Sequence, residues 1–177
     1  MNQPHGIIIS GANGSGKTTL GRELARVLNF KHIDHEDYAF KESKIPYDNP
    51  RTDKECIDLM LADIEKHGSF VLTAVTCDFG EIIPHFYKLA VYISAPVKLR
   101  MERIKQREHE KFGERVHEGG DMYEQAIKFH NFVAVRPLSK IEQWVESLTC
   151  PVIRVDGTID WRVNAVNIAK CYFDLKI

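Results

Sequence analysis

The stretch that decides the fold is Gly11-Ala12-Asn13-Gly14-Ser15-Gly16-Lys17-Thr18, which Thr19 follows. It matches the pattern G-x-x-x-x-G-K-[ST], whose glycines let the backbone turn its N–H groups inward around phosphates. The lysine of this pattern reaches the terminal phosphates of a nucleoside triphosphate, and the following hydroxyl is suited to hold Mg²⁺. The pattern therefore predicts a site for ATP and Mg²⁺ formed by Gly11, Asn13, Gly14, Ser15, Gly16, Lys17, Thr18 and Thr19, with Thr18 as a metal ligand and Lys17 also catalytic.

The residues on either side of this loop provide the context that the motif requires. Gly6 to Ser10 is a short apolar run typical of a buried strand. After the loop, Leu20, Leu24 and Leu28 recur at helical spacing, and the positive end of such a helix adds to an anion site. Strand, loop and helix follow in the required order, so a glycine-rich turn with a surface lysine is the weaker interpretation.

Strand and helix patterns alternate along the rest of the chain. Apolar runs predict four more strands, at 31–33, 69–76, 89–93 and 151–155. This alternation predicts one α/β domain over residues 1–177, with a five-stranded, mostly parallel sheet flanked by helices. Ligands of such sheets lie beyond the carboxyl ends of the strands. The residues that fall there are Gly11, Asp34, Asp78 and Asp156.

A charged helix from 97 to 108 precedes a polar, glycine-containing segment from 109 to 120, which we expect to form a mobile lid. On the helix, Arg103 and Arg107 share a stripe with Arg100, and Arg115 follows in the lid. Phosphoryl transfer needs cations near the transferring oxygens, so Arg103, Arg107 and Arg115 are candidate catalytic residues. The alternative is a solvated helix whose arginines pair with neighbouring glutamates. The histidines of the lid lack convincing metal-ligand spacing.

Acidic residues cluster after the second strand, at Asp34, Glu36 and Asp37. A hydroxyl acceptor must lose a proton, whereas a monophosphate acceptor already presents an anionic oxygen. The cluster therefore favours a hydroxyl acceptor, with Asp34 as base or Mg²⁺ ligand and Asp37 as the second candidate. Asp78 is an alternative metal ligand, and an acidic turn that caps a helix is the structural alternative. Residues predicted to bind the acceptor are Asp37, Tyr38 and Arg51.

The turn Asp156-Gly157-Thr158 follows the last predicted strand. Gly157 lets the backbone approach a flat ligand closely, so Asp156 and Gly157 are candidates for contact with a purine ring. A simple turn that leads into a helix is the alternative.

Composition excludes several classes of partner. The formal net charge is -1 and hydrophobic residues make up 44% of the chain, so nothing favours nucleic acid or an anionic membrane as a partner. Four scattered cysteines and the lack of a signal-like or membrane-spanning run favour a cytoplasmic location.

The chain as a whole resembles the adenylate-kinase/shikimate-kinase group of P-loop small-molecule kinases. The resemblance rests on GANGSGKTT, HIDHEDY, VYISAPVKLRMERIKQR and VDGT, and the acidic segment is also similar to that of uridine-kinase-like nucleoside kinases. It implies a P-loop fold, ATP with Mg²⁺, an arginine-bearing helix that leads into a lid, and a turn against the adenine. Glu36 stands where the group usually has a second aspartate.

Residues and resemblance together predict a kinase that transfers the γ-phosphate of ATP to a small hydroxyl acceptor, nucleoside-like in chemistry. Two alternatives remain open at this point. One is a nucleoside monophosphate kinase, which would depend on arginines rather than a base. The other is a switch or assembly factor that hydrolyses ATP, although no effector surface or partner domain is visible in the sequence.

Overall fold

The computed structural model describes residues 3–77, 80 and 82–175. Asp78, the alternative metal ligand, lies outside the described residues.

Strands and helices alternate as the sequence predicts. The strands are β1 (His5–Ser10), β2 (Lys31–Asp34), β3 (Ser69–Ala74), β4 (Tyr87–Ser94) and β5 (Val152–Asp156). The helices are α1 (Lys17–Leu28), α2 (His35–Ala39), α3 (Asp53–His67), α4 (Val97–Phe112), α5 (Tyr123–Val135), α6 (Ser139–Glu146) and α7 (Trp161–Asp174), with 3-10 turns at Pro84–Phe86 and Gly113–Val116. None of the described helices is long and apolar enough to cross a bilayer.

The five strands form one sheet in the order β2-β3-β1-β4-β5. Every strand pairing among the described residues is parallel, so the predicted mostly parallel sheet is confirmed and is in fact parallel throughout. Since parallel strands all point the same way, their carboxyl ends bring the phosphate loop, Asp34, and the turn at Gly157 to one edge.

The core lies on both faces of the sheet because side chains alternate along each strand. Ile7 and Ile9 of β1 pack with Leu20 of α1 and Ile168 of α7, whereas Ile8 faces the opposite side. These side chains are fully or almost fully buried. The helices on both faces fix the carboxyl edge of the sheet as a rigid base for the site.

Several element boundaries differ from the sequence prediction; β3 ends at Ala74 and not at residue 76, and β4 spans Tyr87–Ser94 and not 89–93. Helix α4 continues to Phe112, so residues 109–112 of the predicted lid are helical, and a 3-10 turn follows at Gly113–Val116. The prediction of an irregular segment over all of 109–120 is therefore wrong, because the polar residues after position 108 are as compatible with an exposed helix as with a loop. The residues after β2 form the short helix α2, for which Asp34 is the N-cap.

Candidate functional site

A cleft of about 1170 Å³ opens at the carboxyl edge of the sheet, and residues 13–19 form one of its walls. Helix α1 begins here, and its N-cap residue, Gly16, provides no side-chain cap. The first N–H groups of α1 are therefore open to an anion, at the positive end of the helix dipole. Ser15 Oγ is buried without a hydrogen-bond partner among the described residues, which also fits a loop built to receive phosphate oxygens.

The loop holds a shape that only glycine permits at one key position. Gly14 has a φ of +77°, and a Cβ there would lie 2.4 Å from the carbonyl oxygen of Arg100. The loop is thus packed directly against the start of α4. Gly11 lies behind the loop, where its backbone packs against Ile93.

Lys17 lines the cleft and is half-buried. Its Nζ donates a hydrogen bond of 2.9 Å to the carbonyl oxygen of Ala12. Burial lowers the pKa of Lys17 from 10.5 to about 8; the negative charges of Glu36 and Asp34 oppose this shift, and the positive charges of Arg107 and Arg136 add to it. The charged form of Lys17 is therefore energetically unfavourable until an anion binds.

Thr18 and Asp34 meet across the cleft. The Thr18 hydroxyl donates a 2.7 Å hydrogen bond to Asp34 Oδ2, and Asp34 Oδ1 accepts a 3.3 Å bond from the backbone N–H of Glu36. A hydroxyl and a carboxylate beside a phosphate loop are oxygen ligands of the kind that Mg²⁺ prefers. The residues present therefore fit a Mg²⁺ site, with Thr18 and Asp34 as the groups that would hold it.

Arginines of α4 line the opposite wall. Arg103 donates hydrogen bonds of 3.1 Å to the carbonyl oxygen of Ser15 and 2.8 Å to that of Gly157, and so bridges two sides of the cleft. Arg107 lines the cleft one turn further along α4. Arg100 is buried and donates to the carbonyl oxygen of Asn13 at 3.3 Å. The stripe predicted from the sequence thus faces the phosphate loop.

The far end of the cleft has an apolar lining next to Gly157. Ile159 and Trp161 line it together with Gly157. The Asp156 carboxylate is exposed and accepts a 2.8 Å bond from the N–H of Thr158, so it stabilises the turn rather than facing the cleft. Gly157 thus lines the cleft, whereas its contact with a purine ring stays a prediction.

A second cavity, the apolar pocket, has a volume of about 350 Å³ and adjoins the cleft. The two cavities share five lining residues, namely Asn13, Glu36, Tyr47, Arg107 and Lys111. The remaining lining is largely apolar and includes Phe40, Phe112, Val116, Met122, Ala126 and Phe129. The phosphate cleft thus opens into a pocket large enough for a small organic molecule.

Five residues predicted for the site line neither cavity, namely Gly11 and Asp156, described above, and Tyr38, Arg51 and Arg115. The Tyr38 hydroxyl donates to Asp63 Oδ2 at 2.5 Å, and its ring packs into the core beside α3. Arg51 donates to the carbonyl oxygens of Tyr38 and Phe40, at 3.0 and 2.5 Å, and so supports the chain around α2. Arg115 forms a two-point ion pair with Asp121 at 2.9 Å. Asp37 does line the cleft, as predicted.

The site also contains residues that were not predicted for it from the sequence. Arg136 donates to Asn13 Oδ1 at 3.2 Å. Glu36 lines both cavities, and Trp161 closes the far end of the cleft. Glu36 could have been predicted as a site residue because it lies in the acidic segment. No local sequence pattern connects Arg136 with the phosphate loop, which is far away in the chain.

Two known proteins are similar to this chain in sequence. The uncharacterized protein YqaC of Bacillus subtilis is 29% identical over 170 residues, which span 90% of this chain and 94% of YqaC. A cytidylate kinase of Methanopyrus kandleri is 31% identical over 121 residues, which span 58% of this chain and 62% of that kinase.

The fold is also found among solved structures. A shikimate kinase from Acinetobacter baumannii, in complex with shikimate, matches with a TM-score of 0.60 over 98% of this chain and 96% of its own, at 17% identity. A family model described as AAA domain, AAA_18, matches residues 7–124, which is more than half of the chain. The chain therefore belongs to the AAA_18 family and has the fold of the P-loop small-molecule kinases that its sequence resembles.

Proposed function

We propose that this protein transfers the γ-phosphate of ATP to a hydroxyl group of a small, nucleoside-like molecule. The observation that carries the proposal is the contact between the Thr18 hydroxyl and Asp34, 2.7 Å apart, beside a glutamate, Glu36, that faces both the cleft and the apolar pocket. This arrangement supplies a metal-binding pair on the phosphate side and a carboxylate on the acceptor side. The cytoplasm, where ATP is supplied, is the proposed setting.

Positive charge around the transferring phosphate is the first part of the proposed mechanism. Lys17 would contact the terminal phosphates, and Arg103 and Arg107 would stabilise the charge that spreads over the transferring oxygens. Thr18 and Asp34 would hold Mg²⁺, which would supply further positive charge beside the phosphates. Because Arg103 already bridges the carbonyl oxygens of Ser15 and Gly157, its guanidinium is held in place before a ligand arrives. Arg115 remains a candidate for a closed lid, for which its ion pair with Asp121 would have to open.

Proton removal from the acceptor is the second part. Asp34 is engaged with Thr18, which favours a role at the metal. Glu36 follows two residues later and lies where the cleft meets the apolar pocket, so we assign it the role of general base. Asp37 lines the cleft but not the pocket and is the less suitable base.

The chemistry of the apolar pocket supports the acceptor class. Phe40 and Tyr47 pack edge to face with ring centroids 5.3 Å apart, and the Lys111 ammonium lies 5.3 Å from the Tyr47 ring centroid. Aromatic walls favour a flat ring over a polyhydroxylated chain, which would leave its hydroxyls without partners. A nucleoside combines a flat base with a ribose hydroxyl that could face Glu36.

A nucleoside monophosphate is the second candidate acceptor, and Arg136 is the observation that favours it. Arg136 and Arg107 both lie close enough to lower the pKa of Lys17, so two guanidinium groups stand near the transfer position. A cytidylate kinase is among the relatives of this chain. An acceptor that already carries a phosphate would use these cations and would not need Glu36 as a base.

The proposal is tested first by a thermal-shift screen with a non-hydrolysable ATP analogue and Mg²⁺. Nucleosides, nucleoside monophosphates, sugar acids and hydroxy acids form the test set, and we expect a nucleoside to give the largest added stabilisation. Stabilisation by sugar acids alone would contradict the assigned acceptor class. If no acceptor stabilises the ternary complex while ATP is hydrolysed at the same rate without one, the protein is a switch rather than a kinase.

The two acceptor classes are separated by a matched set of variants assayed on the acceptor so identified. With a hydroxyl acceptor, Glu36→Gln lowers kcat about a hundredfold or more with little change in ATP affinity. Glu42→Gln, an exposed glutamate nearby, serves as the control and leaves kcat unchanged. With a monophosphate acceptor, Glu36→Gln is nearly silent and Arg136→Ala chiefly raises the acceptor KM.

A further inference from the structure

Two histidines and a glutamate converge where α4 ends, and none of the three lines either cavity. His109 lies in the last turn of α4, Glu114 lies in the following 3-10 turn, and His117 comes directly after it. His109 Nδ1 and His117 Nε2 are 2.9 Å apart, and one ligand atom from each of the three residues lies within 4.8 Å of the others. All three side chains are exposed, so an ion could reach them from solvent.

The backbone between these residues is held in a tight reversal. Gly113 has a φ of +58°, which lets the chain turn back on the end of α4. The N–H of His117 then donates to the carbonyl oxygen of Glu114 at 3.1 Å, and the N–H of Gly120 donates to that of His117 at 2.8 Å. This network orders the backbone that carries two of the three side chains, so less conformational entropy is lost when they bind an ion together.

The donor set points to a particular class of cation. We propose that His109, Glu114 and His117 form a binding site for a transition-metal dication of the Zn²⁺ type. Two imidazole nitrogens and one carboxylate suit Zn²⁺ and its neighbours, whereas Mg²⁺ prefers oxygen ligands. With Zn–N bonds of about 2.0–2.1 Å, two nitrogens of a tetrahedral site lie about 3.3 Å apart, close to the separation of the His109 and His117 nitrogens. The carbonyls at the end of α4 add a partial negative charge.

Without an ion, two imidazole nitrogens at 2.9 Å need one proton between them. A dication bound by both nitrogens takes the place of that proton, which moves by exchange with solvent to the other nitrogen of its own ring. The bound ion would join the 3-10 turn at Gly113–Val116 to the end of α4, the helix that carries Arg103 and Arg107. The site would therefore stabilise the base of the predicted lid, independently of whether the protein transfers phosphate.

The inference is tested by calorimetric titration of nucleotide-free, tag-free protein with Zn²⁺. The exposed Cys171 is replaced by serine in every sample, because a thiol binds this ion. We expect one Zn²⁺ per chain, at least tenfold weaker binding in His109→Gln and in His117→Gln, and unchanged binding in His85→Gln, an exposed histidine elsewhere. Millimolar Mg²⁺ should not compete with Zn²⁺.

Two further readouts separate a metal site from a general effect of the substitutions. Co²⁺ bound by nitrogen and oxygen ligands gives visible absorption bands, which should be present in the parent protein and absent in the double variant His109→Gln/His117→Gln. Hydrogen exchange over residues 109–120 should slow with Zn²⁺ in the parent protein alone. Binding that is equally tight in the double variant, or no binding at all in the parent protein, would overturn the inference.

Discussion

The lowered pKa of Lys17 in the phosphate loop predicts how many protons the protein takes up when a nucleotide binds. Burial lowers the pKa of Lys17 to about 8, so in the ligand-free protein this side chain is half charged near pH 8. A bound triphosphate places negative charge beside Nζ and raises the pKa again, because an opposite charge favours the ammonium form. Nucleotide binding should therefore take up about 0.1 proton at pH 7, about 0.5 at pH 8 and about 0.9 at pH 9.

Isothermal titration calorimetry with Mg²⁺ and a non-hydrolysable ATP analogue, in buffers of different ionisation enthalpy, measures this uptake directly. Lys17→Met should abolish it, whereas Lys98→Met, an exposed lysine on α4, should preserve it. Above pH 8 the nucleotide Kd of the parent protein should rise by up to about tenfold per pH unit. Proton uptake near zero at pH 9, or unchanged uptake in Lys17→Met, would refute the assignment.

The same shift has a consequence for the stability of the ligand-free protein. Between pH 8 and 10.5 the unfolded chain holds the Lys17 proton more tightly than the folded one, so the contribution of Lys17 to stability rises with pH in this window. Below pH 8 the charged, buried ammonium costs on the order of 3 kcal/mol, at about 1.36 kcal/mol per pKa unit. Lys17→Met should accordingly raise the free energy of unfolding at pH 7 while it abolishes turnover.

Three further predictions concern single side chains. Arg51→Ala removes hydrogen bonds to two part-buried carbonyl oxygens and should lower the free energy of unfolding in urea by about 1.5–3 kcal/mol. Arg154→Ala, which removes only an exposed ion pair, should lower it by less than about 1 kcal/mol. A raised acceptor KM with unchanged stability in Arg51→Ala would contradict the structural role of Arg51. Gly157→Ala places a Cβ 2.7 Å from the carbonyl oxygen of Ser15 and should raise the nucleotide Kd, measured by calorimetry, at least tenfold. An unchanged Kd would show that this turn lies away from the nucleotide. Thr18→Val removes the hydroxyl that contacts Asp34 and should raise the Mg²⁺ concentration needed for half-maximal activity at least tenfold. Thr18→Ser keeps a hydroxyl and should need a nearly normal Mg²⁺ concentration, so equal Mg²⁺ dependence in the two variants would contradict the metal role of Thr18.

The fold could be predicted because its signals are local. The glycine-rich loop, the apolar run before it and the helical spacing after it lie within about two dozen residues, and each has a direct physical interpretation. The end of α5 at Val135 can also be explained from the sequence, because Pro137 cannot continue a helix and disfavours helical geometry in the residue before it. Parallel pairing then followed from the alternation of strands and helices.

Parts of the site could not be predicted because they depend on distant segments and on side-chain direction. Tyr38 follows the acidic residues closely, yet its hydroxyl contacts Asp63 of α3 and not the cleft. Arg136 reaches Asn13 across 123 positions of the chain. His109 and His117 have no familiar ligand spacing, and a helix end followed by a 3-10 turn brings them together. The sequence located the phosphate loop well and the acceptor side only in outline.

The fate of the γ-phosphate shows whether this protein transfers phosphate from ATP to a small molecule. ATP that carries a radiolabel in its γ-phosphate is incubated with the protein, Mg²⁺ and the acceptor that the screen selects, and the labelled products are separated and identified. We expect the label to appear in an organic phosphate ester, at a rate that depends on the acceptor and falls about a hundredfold in Glu36→Gln. Label released as inorganic phosphate at the same rate with and without an acceptor would contradict this expectation.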